Sequence, residues 1–352
     1  MKPWLHVQGM HGMGDALHQR AVLRQLMKSH RVILEASWAS MYHDLLGEDL
    51  ILIRKPSSLR TQAKNVQRES EAKLFTPMTM PAARQMRVSY TGLNTLACPS
   101  KTVLEAMCVS TGTSYAEADY RLPVPAEWHT DLFKALGSLP ANADRPWLVY
   151  RPLVERPEWR GSILRNAAPM AYAKVFEEIR DTFFVISVAD LEPGKEWIYG
   201  PRLNADMTFH AGELNFEMLA ALFEQSKVVY TSSGFGAILA PAVGTACISM
   251  TGGYEYPGCH DSAARFAPYL SIGPIVSCHC WTSACRRACD KSVDVGAANK
   301  RVRSFLSENS VQIADSTTSH EDMFLPPVPS VQRELLSGPA TVLERQMRTR
   351  LW

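Results

Sequence analysis

The chain has 352 residues, enough for two domains at roughly 100–200 residues each. Hydrophobic residues make up 46% and charged residues 20%, which excludes a disordered chain. The formal net charge of +2 excludes a chain whose overall field would draw in nucleic acid, so an anionic partner is expected to meet a local patch. No run of about 18 apolar residues is present, and a membrane-spanning helix is not expected. The opening residues Met1–Val7 carry no apolar leader core or small-residue cleavage site. The chain is therefore expected to be cytoplasmic, with its eight cysteines reduced.

The predicted elements alternate. Trp4–Gln8 reads as a strand, Gly9–Asp15 as a glycine-rich loop, His18–His30 as a helix and Val32–Ala36 as the next strand. This order implies a parallel sheet. Leu50–Arg54 and Arg87–Tyr90 read as further strands, Thr102–Cys108 and Trp128–Leu136 as helices. The run Arg54, Lys55, Arg60, Lys64, Arg68 and Lys73 reads as a solvated basic face. A linker is expected over Leu139–Pro146, where proline and polar residues separate patterned segments. Alternation then resumes. Trp147–Arg151, Phe184–Val188, Lys227–Thr231 and Ala246–Met250 read as strands. Ala171–Phe183, Leu214–Gln225 and Gly236–Val243 read as helices. Two such halves make an α/β chain of two Rossmann-like domains facing a cleft. The expected domains are 1–140 and 147–310, followed by a tail over 311–352 with a terminal helix in Arg333–Leu351. Ligands of such sheets bind beyond the carboxyl ends of the strands.

The loop Gly9-Met10-His11-Gly12-Met13-Gly14-Asp15 lies at one such end. Gly12 and Gly14 permit close backbone approach to a ligand, and the following helix start supplies free N–H groups. One reading is a dinucleotide turn, with Glu35 at the end of the second strand as the ribose acid. Asp15 opposes it: a carboxylate at the helix entrance repels a pyrophosphate by about 1–4 kcal/mol at 4 Å. Asp15 itself reads either as a helix N-cap or as a general base at the cleft, with His11 and His18 nearby.

The second loop, Thr231-Ser232-Ser233-Gly234-Phe235-Gly236-Ala237, joins a strand to a helix of small residues. Its hydroxyls, glycines and helix N-terminus suit a diphosphate, although an ordinary strand-to-helix turn has the same composition. The stretch His210–Gly253 resembles the C-terminal motif region of glycosyltransferase family 9, which includes the ADP-heptose–lipopolysaccharide heptosyltransferases. The matching features are Leu214–Leu222, Val228-Val229-Tyr230, Ser233-Gly234, Ala240–Thr245 and Ile248–Gly252. Gly14-Asp15-Ala16-Leu17 with Ala21–Leu26 is similar to the family's opening Gly-Asp motif, whose aspartate is proposed as catalytic base. There are departures. Ser232 stands where the family carries Asp, and Ala237 or Ile238 stands near its His position, so heptose is not carried over as the sugar.

The resemblance implies a GT-B architecture and a nucleotide-sugar donor held mainly by the C-terminal half. Charge develops on the departing diphosphate, so cations or N–H dipoles are needed there. Arg151, Arg160 and Arg165 are candidates, with surface salt bridging as the alternative. Asp190 and Glu192, after the strand Phe184–Val188, are candidates for a ribose hydroxyl or simply turn residues. His210 is a further substrate-binding candidate, and Glu213 is expected to cap the helix that follows. No Asp-x-Asp pair stands at a strand end, so the transfer is expected to need no metal cofactor.

Cys278, Cys280, Cys285 and Cys289 place four thiols close together and are similar to the cysteine-bearing tail of some family members. Four thiolates can hold a structural zinc, though this spacing is not a standard ribbon, and plain loop thiols fit as well. The leading expectation is a glycosyltransferase acting on a glycan or lipopolysaccharide-like acceptor. A hydroxymethylated base in DNA is a second acceptor, contacted by Arg54–Lys73. A nicotinamide-dependent oxidoreductase and a nucleotide-sugar-binding protein without turnover are the competing readings.

Overall fold

A computed structural model describes residues 2–55, 74–76, 84–90, 102–155, 166–253, 258–277 and 290–311. Arg60, Lys64, Arg68, Lys73, Arg160, Arg165, the cysteine cluster and the tail from residue 312 fall outside them.

The first half carries strands β1 (Trp4–Gln8), β2 (Arg31–Ala36), β3 (Leu50–Arg54) and β4 (Arg84–Arg87). They form a parallel sheet in the order β3-β2-β1-β4. Helix α1 (Met13–Leu26) crosses from β1 to β2. It starts five residues before the apolar spacing predicts, because its first turn, Met13-Gly14-Asp15-Ala16, carries no apolar period. β4 ends at Arg87, where the sequence reading begins its strand. Helix α2 (Val103–Thr111) is capped by the Thr102 hydroxyl, which accepts from Glu105 N–H at 3.1 Å, and stopped by Gly112 at φ +67°.

Helix α3 (Ala126–Leu136) precedes the second sheet. That sheet contains β5 (Trp147–Tyr150), β7 (Phe184–Val188), β9 (Met207–Phe209), β10 (Val228–Ser232), β11 (Ala246–Met250) and β12 (Tyr269–Ile272). Its order is β12-β11-β10-β5-β7-β9, parallel throughout. A small antiparallel pair, β6 (Val154–Glu155) and β8 (Trp197–Ile198), stands apart. Helices α4 (Pro169–Arg180), α5 (Phe216–Gln225), α6 (Phe235–Ala242) and α7 (Val295–Glu308) complete the half. The short β9 and β12 escape the sequence reading because three or four residues give no period to detect.

Strand residues alternate between two cores, as the pleat requires. Leu148, Tyr150, Val228, Tyr230 and Ile248 pack beneath α4 and α7. Trp147, Val149, Phe184, Ile186 and Val229 face α3, α5 and α6, and this second core continues without a break into α1 and the first sheet. Backbone bonds also cross between the halves: Val103 N–H donates to the Cys259 carbonyl at 2.9 Å, and Leu122 N–H to the Ala242 carbonyl at 2.7 Å. Arg20 of α1 is buried at this joint, within 2.8 Å of the Asp44 carboxylate and bonded to the carbonyls of Tyr120 and Arg121. Among the described residues, no helix is long and apolar enough to cross a membrane.

Candidate functional site

A cavity of about 240 Å³ opens at the carboxyl ends of β5, β7 and β9. Its apolar wall is made by Val188, Phe209, Leu214, Phe216 and Leu219. Arg151, Asp190, Glu213 and Asn215 supply the polar groups. The first half closes it with Met13, from the start of α1, and Trp38, just past β2. The cavity thus joins both loops singled out in the sequence. Phe235, the first residue of α6, lines it as well. A Cβ on Gly14 would lie 3.4 Å from Ile238 Cγ1 and 3.6 Å from Phe235 Cα, so the two loops meet with glycine at the contact.

Gly12, in extended conformation, is the N-cap of α1, and Asp15 sits in the first turn rather than at the cap. A side chain on Gly12 would run into the Asp15 carboxylate, which folds back over it. The simple capping role expected for Asp15 is therefore corrected: the helix is entered on glycine, and the half-buried carboxylate lies three residues inside. Its negative charge there is compatible with the positive end of the helix dipole. His11 is half-buried, and its pKa lies below the usual histidine range. Burial is the main cause, followed by the charges of Lys55 and Arg87. Glu35, the ribose acid of the dinucleotide reading, is held instead: His6 Nε2 lies 2.9 Å from its carboxylate and Lys55 Nζ 3.7 Å. His18 is wholly buried among Tyr120 and His260, away from the cleft.

In the second loop, Ser232 ends β10 and Gly234 adopts φ +132°, a backbone region that L side chains rarely enter. Among the described residues no side chain caps α6. The Ser233 hydroxyl is buried there with no hydrogen-bond partner among them. Arg151 lies across this helix start. A Cβ on Gly236 would come within 2.6 Å of Arg151 Cδ, and the guanidinium carbon is 5.8 Å from the Phe235 ring centroid. The backbone of Arg151 is anchored by its own N–H to the Tyr230 carbonyl at 3.0 Å and by the Tyr172 hydroxyl donating to its carbonyl at 2.7 Å. A cation and a helix N-terminus therefore converge at one end of the cavity, a combination suited to a diphosphate.

Asp190 lines the cavity and pairs in a bridge with Ala211. Glu192 does not reach it: its carboxylate pairs with Lys195, and its N–H donates to Glu196 within the same turn. His210 lies just behind the lining, its Nε2 2.7 Å from the Ser187 hydroxyl. Burial lowers its pKa, with Glu213 acting against the shift and Arg202 with it. Glu213 does not cap α5. Asn215 does, accepting from Met218 N–H at 2.9 Å, while Glu213 accepts from Ala211 N–H at 2.8 Å. Trp38, Asn215 and Phe235 were not singled out in the sequence. The carboxyl-end rule points to Trp38 and Phe235, which directly follow β2 and β10, whereas Asn215 carried the signature of a helix cap.

No protein-family profile and no curated protein matches this sequence. Solved structures match it in fold. A glycosyl transferase family 9 protein from Veillonella parvula superposes with a TM-score of 0.54 at 11% identity, over 88% of this chain and 98% of the other. The iron-containing dodecameric glycosyltransferase TibC from enterotoxigenic E. coli gives 0.55 at 12% identity, over 88% and 76%. The E. coli ADP-heptose lipopolysaccharide heptosyltransferase II gives 0.51 at 12% identity, over 88% and 99%. The chain has the GT-B fold. At this identity the likeness is one of architecture, and the chemistry has to be argued from the residues. In the GT-B frame the cavity belongs to the C-terminal sheet, and the Gly9–Asp15 loop faces it from the N-terminal one. Among the described residues no group of three or more His, Cys, Asp or Glu is placed to hold a metal ion.

Proposed function

We propose that this protein is a glycosyltransferase that moves a sugar from a nucleotide-sugar donor to an acceptor hydroxyl, without a metal cofactor. The observation that carries the reading is a cavity in which the start of α1 meets Arg151, Asp190 and the start of α6. Its apolar wall suits a nucleoside, and Asp190 is the carboxylate for a ribose hydroxyl. The diphosphate then points to Arg151 and the N–H groups at the start of α6, which stabilise the charge that develops as it leaves. Asp15 is the general base, taking the acceptor's proton as its oxygen attacks the anomeric carbon. One of the solved neighbours is a complex with ADP-D-β-D-heptose, which supports a nucleotide sugar as donor. The acceptor is a glycan hydroxyl presented from the N-terminal half. Ser232 and the absence of a histidine on α6 favour a second reading, in which the donor is bound and not turned over.

A thermal-shift screen against ADP-, UDP-, GDP- and CMP-sugars, with NAD and NADP included, tests this. A donor at 100 times its dissociation constant stabilises the fold by about 2.7 kcal/mol. A shift with one nucleotide sugar and release of its nucleotide support the transferase. A shift without release supports the binding protein, and a shift with NAD or NADP alone sinks both.

A further inference from the structure

Three successive residues of the loop before α1 are each gripped by a different side chain. Lys55 Nζ donates to the Gly9 carbonyl at 3.1 Å. Met10 N–H donates to Gln19 Oε1 at 2.9 Å. Trp38 Nε1 donates to the His11 carbonyl at 3.3 Å. Gln19 and Trp38 are both almost wholly buried, at 0% and 1% exposure. Burying a primary amide is unfavourable unless both its ends are bonded, and Gln19 has both bonds. Its Nε2 donates to the Tyr42 hydroxyl at 2.9 Å, which in turn donates to the Ala16 carbonyl at 3.1 Å. Gly9 is part of the fit, since a Cβ there would strike the Glu35 carbonyl and approach both polar atoms of the Gln19 amide at 3.0 and 3.1 Å.

The chain of bonds starts in the loop, passes through Gln19 and Tyr42, and returns to the first turn of α1 next to Asp15. Gln19 is also one helical turn beyond Asp15, on the same face. We propose that Gln19, braced by Tyr42, is a positioning residue that locks the Gly9–Asp15 loop so that Asp15 meets the acceptor in one geometry. This rests on the reading of Asp15 as the base. Gln19 touches no substrate. It acts by removing the loop's freedom before substrate arrives, and a misplacement of about 1 Å can cost a hundredfold in rate.

The test compares the full chain with Gln19→Leu, Gln19→Glu and Tyr42→Phe. Backbone hydrogen exchange across residues 9–16 is measured together with steady-state nucleotide release from ADP-, UDP-, GDP- and CMP-sugars. In Gln19→Leu, exchange at Met10 is expected to rise by about five- to tenfold, the worth of one net hydrogen bond. The kcat is expected to fall by up to about a hundredfold with KM for the donor unchanged. Gln19→Glu, held protonated by its burial, keeps an acceptor for Met10 N–H and a donor for the Tyr42 hydroxyl, and is expected to recover most of the exchange protection. Tyr42→Phe removes one hydroxyl with the ring retained, and is expected to move both readouts part-way even if Gln19→Leu does not fold. Unchanged exchange at residues 9–16 in folded variants would overturn the clamp, and faster exchange with an unaltered kcat would overturn the positioning role. A wild-type chain that releases no nucleotide from any of these sugars counts against the transferase reading, while the exchange data still decide whether Gln19 holds the loop.

Discussion

Lowering the pH should destabilise this protein through His18. The ring is wholly buried on α1, where the two halves join. Neither of its nitrogens has a hydrogen-bond partner among the described residues. Its neighbours are the Tyr120 ring at 5.0 Å and the His260 ring at 6.4 Å, and neither offers a negative charge. Burial, aided by His260, pushes its pKa from 6.5 down to about 3. The unfolded chain therefore takes up a proton as the pH drops below 6.5 and the folded chain does not, so stability falls with pH throughout the window from 6.5 to 3. Each pH unit within that window is worth about 1.4 kcal/mol. Between pH 7 and pH 5 the loss from this one residue is about 2 kcal/mol, and it does not depend on the folded pKa as long as that stays well under 5. His11 and His210 are shifted in the same direction and add to the slope. Urea unfolding at pH 7, 6 and 5, run on the wild type and on His18→Phe, isolates the residue. The variant, which carries a ring and no proton site, should lose about 2 kcal/mol less than the wild type across that range. Equal losses in both proteins would refute the argument, since they would mean that His18 is solvated or partnered when protonated.

Other consequences are equally direct. Asp15→Asn should lower turnover by about a hundred- to ten-thousandfold while calorimetry shows donor binding retained; loss of binding with it would assign Asp15 to the donor instead. Gly236→Ala should cost about 1–3 kcal/mol by overpacking, because its methyl would meet Arg151 Cδ at 2.6 Å and Thr231 Oγ1 at 2.9 Å. It should also weaken donor binding by displacing Arg151, which titration calorimetry reads. Asp44→Ala should destabilise the fold by about 3–5 kcal/mol in chemical unfolding, since it leaves the Arg20 guanidinium buried without its counter-charge.

The alternation of apolar strands and amphipathic helices is a local property, and the sequence alone determined it. β7 and β11 match their predicted bounds, and α3, α5 and α6 lie within two residues of theirs. Parallel β-α-β order then implies two Rossmann-like halves with ligands at the strand ends, which is where the cavity lies. Arg151 and Asp190 were legible for the same reason, each standing just past a strand. The extent of α1 was not, because glycines and a methionine at its start give no period. The Asp15 cap reading depended on that start and moved with it.

Only the tertiary structure decided which residues from distant parts of the chain share the site. Trp38 follows β2 and Phe235 opens α6, and nothing local to either says that both face one cavity. The fates of Glu35 and Glu192 were likewise set by partners. Glu35 is held by His6 of β1 and by Lys55 just past β3, and Glu192 turns toward Lys195 rather than into the cleft. Gln19 shows the point most simply: in sequence it is one more polar residue on a helix. Its role exists only because folding buries it and brings Met10 and Tyr42 within hydrogen-bonding distance of its two ends. Period and propensity act over a few residues, whereas burial and pairing depend on the packing of the whole chain.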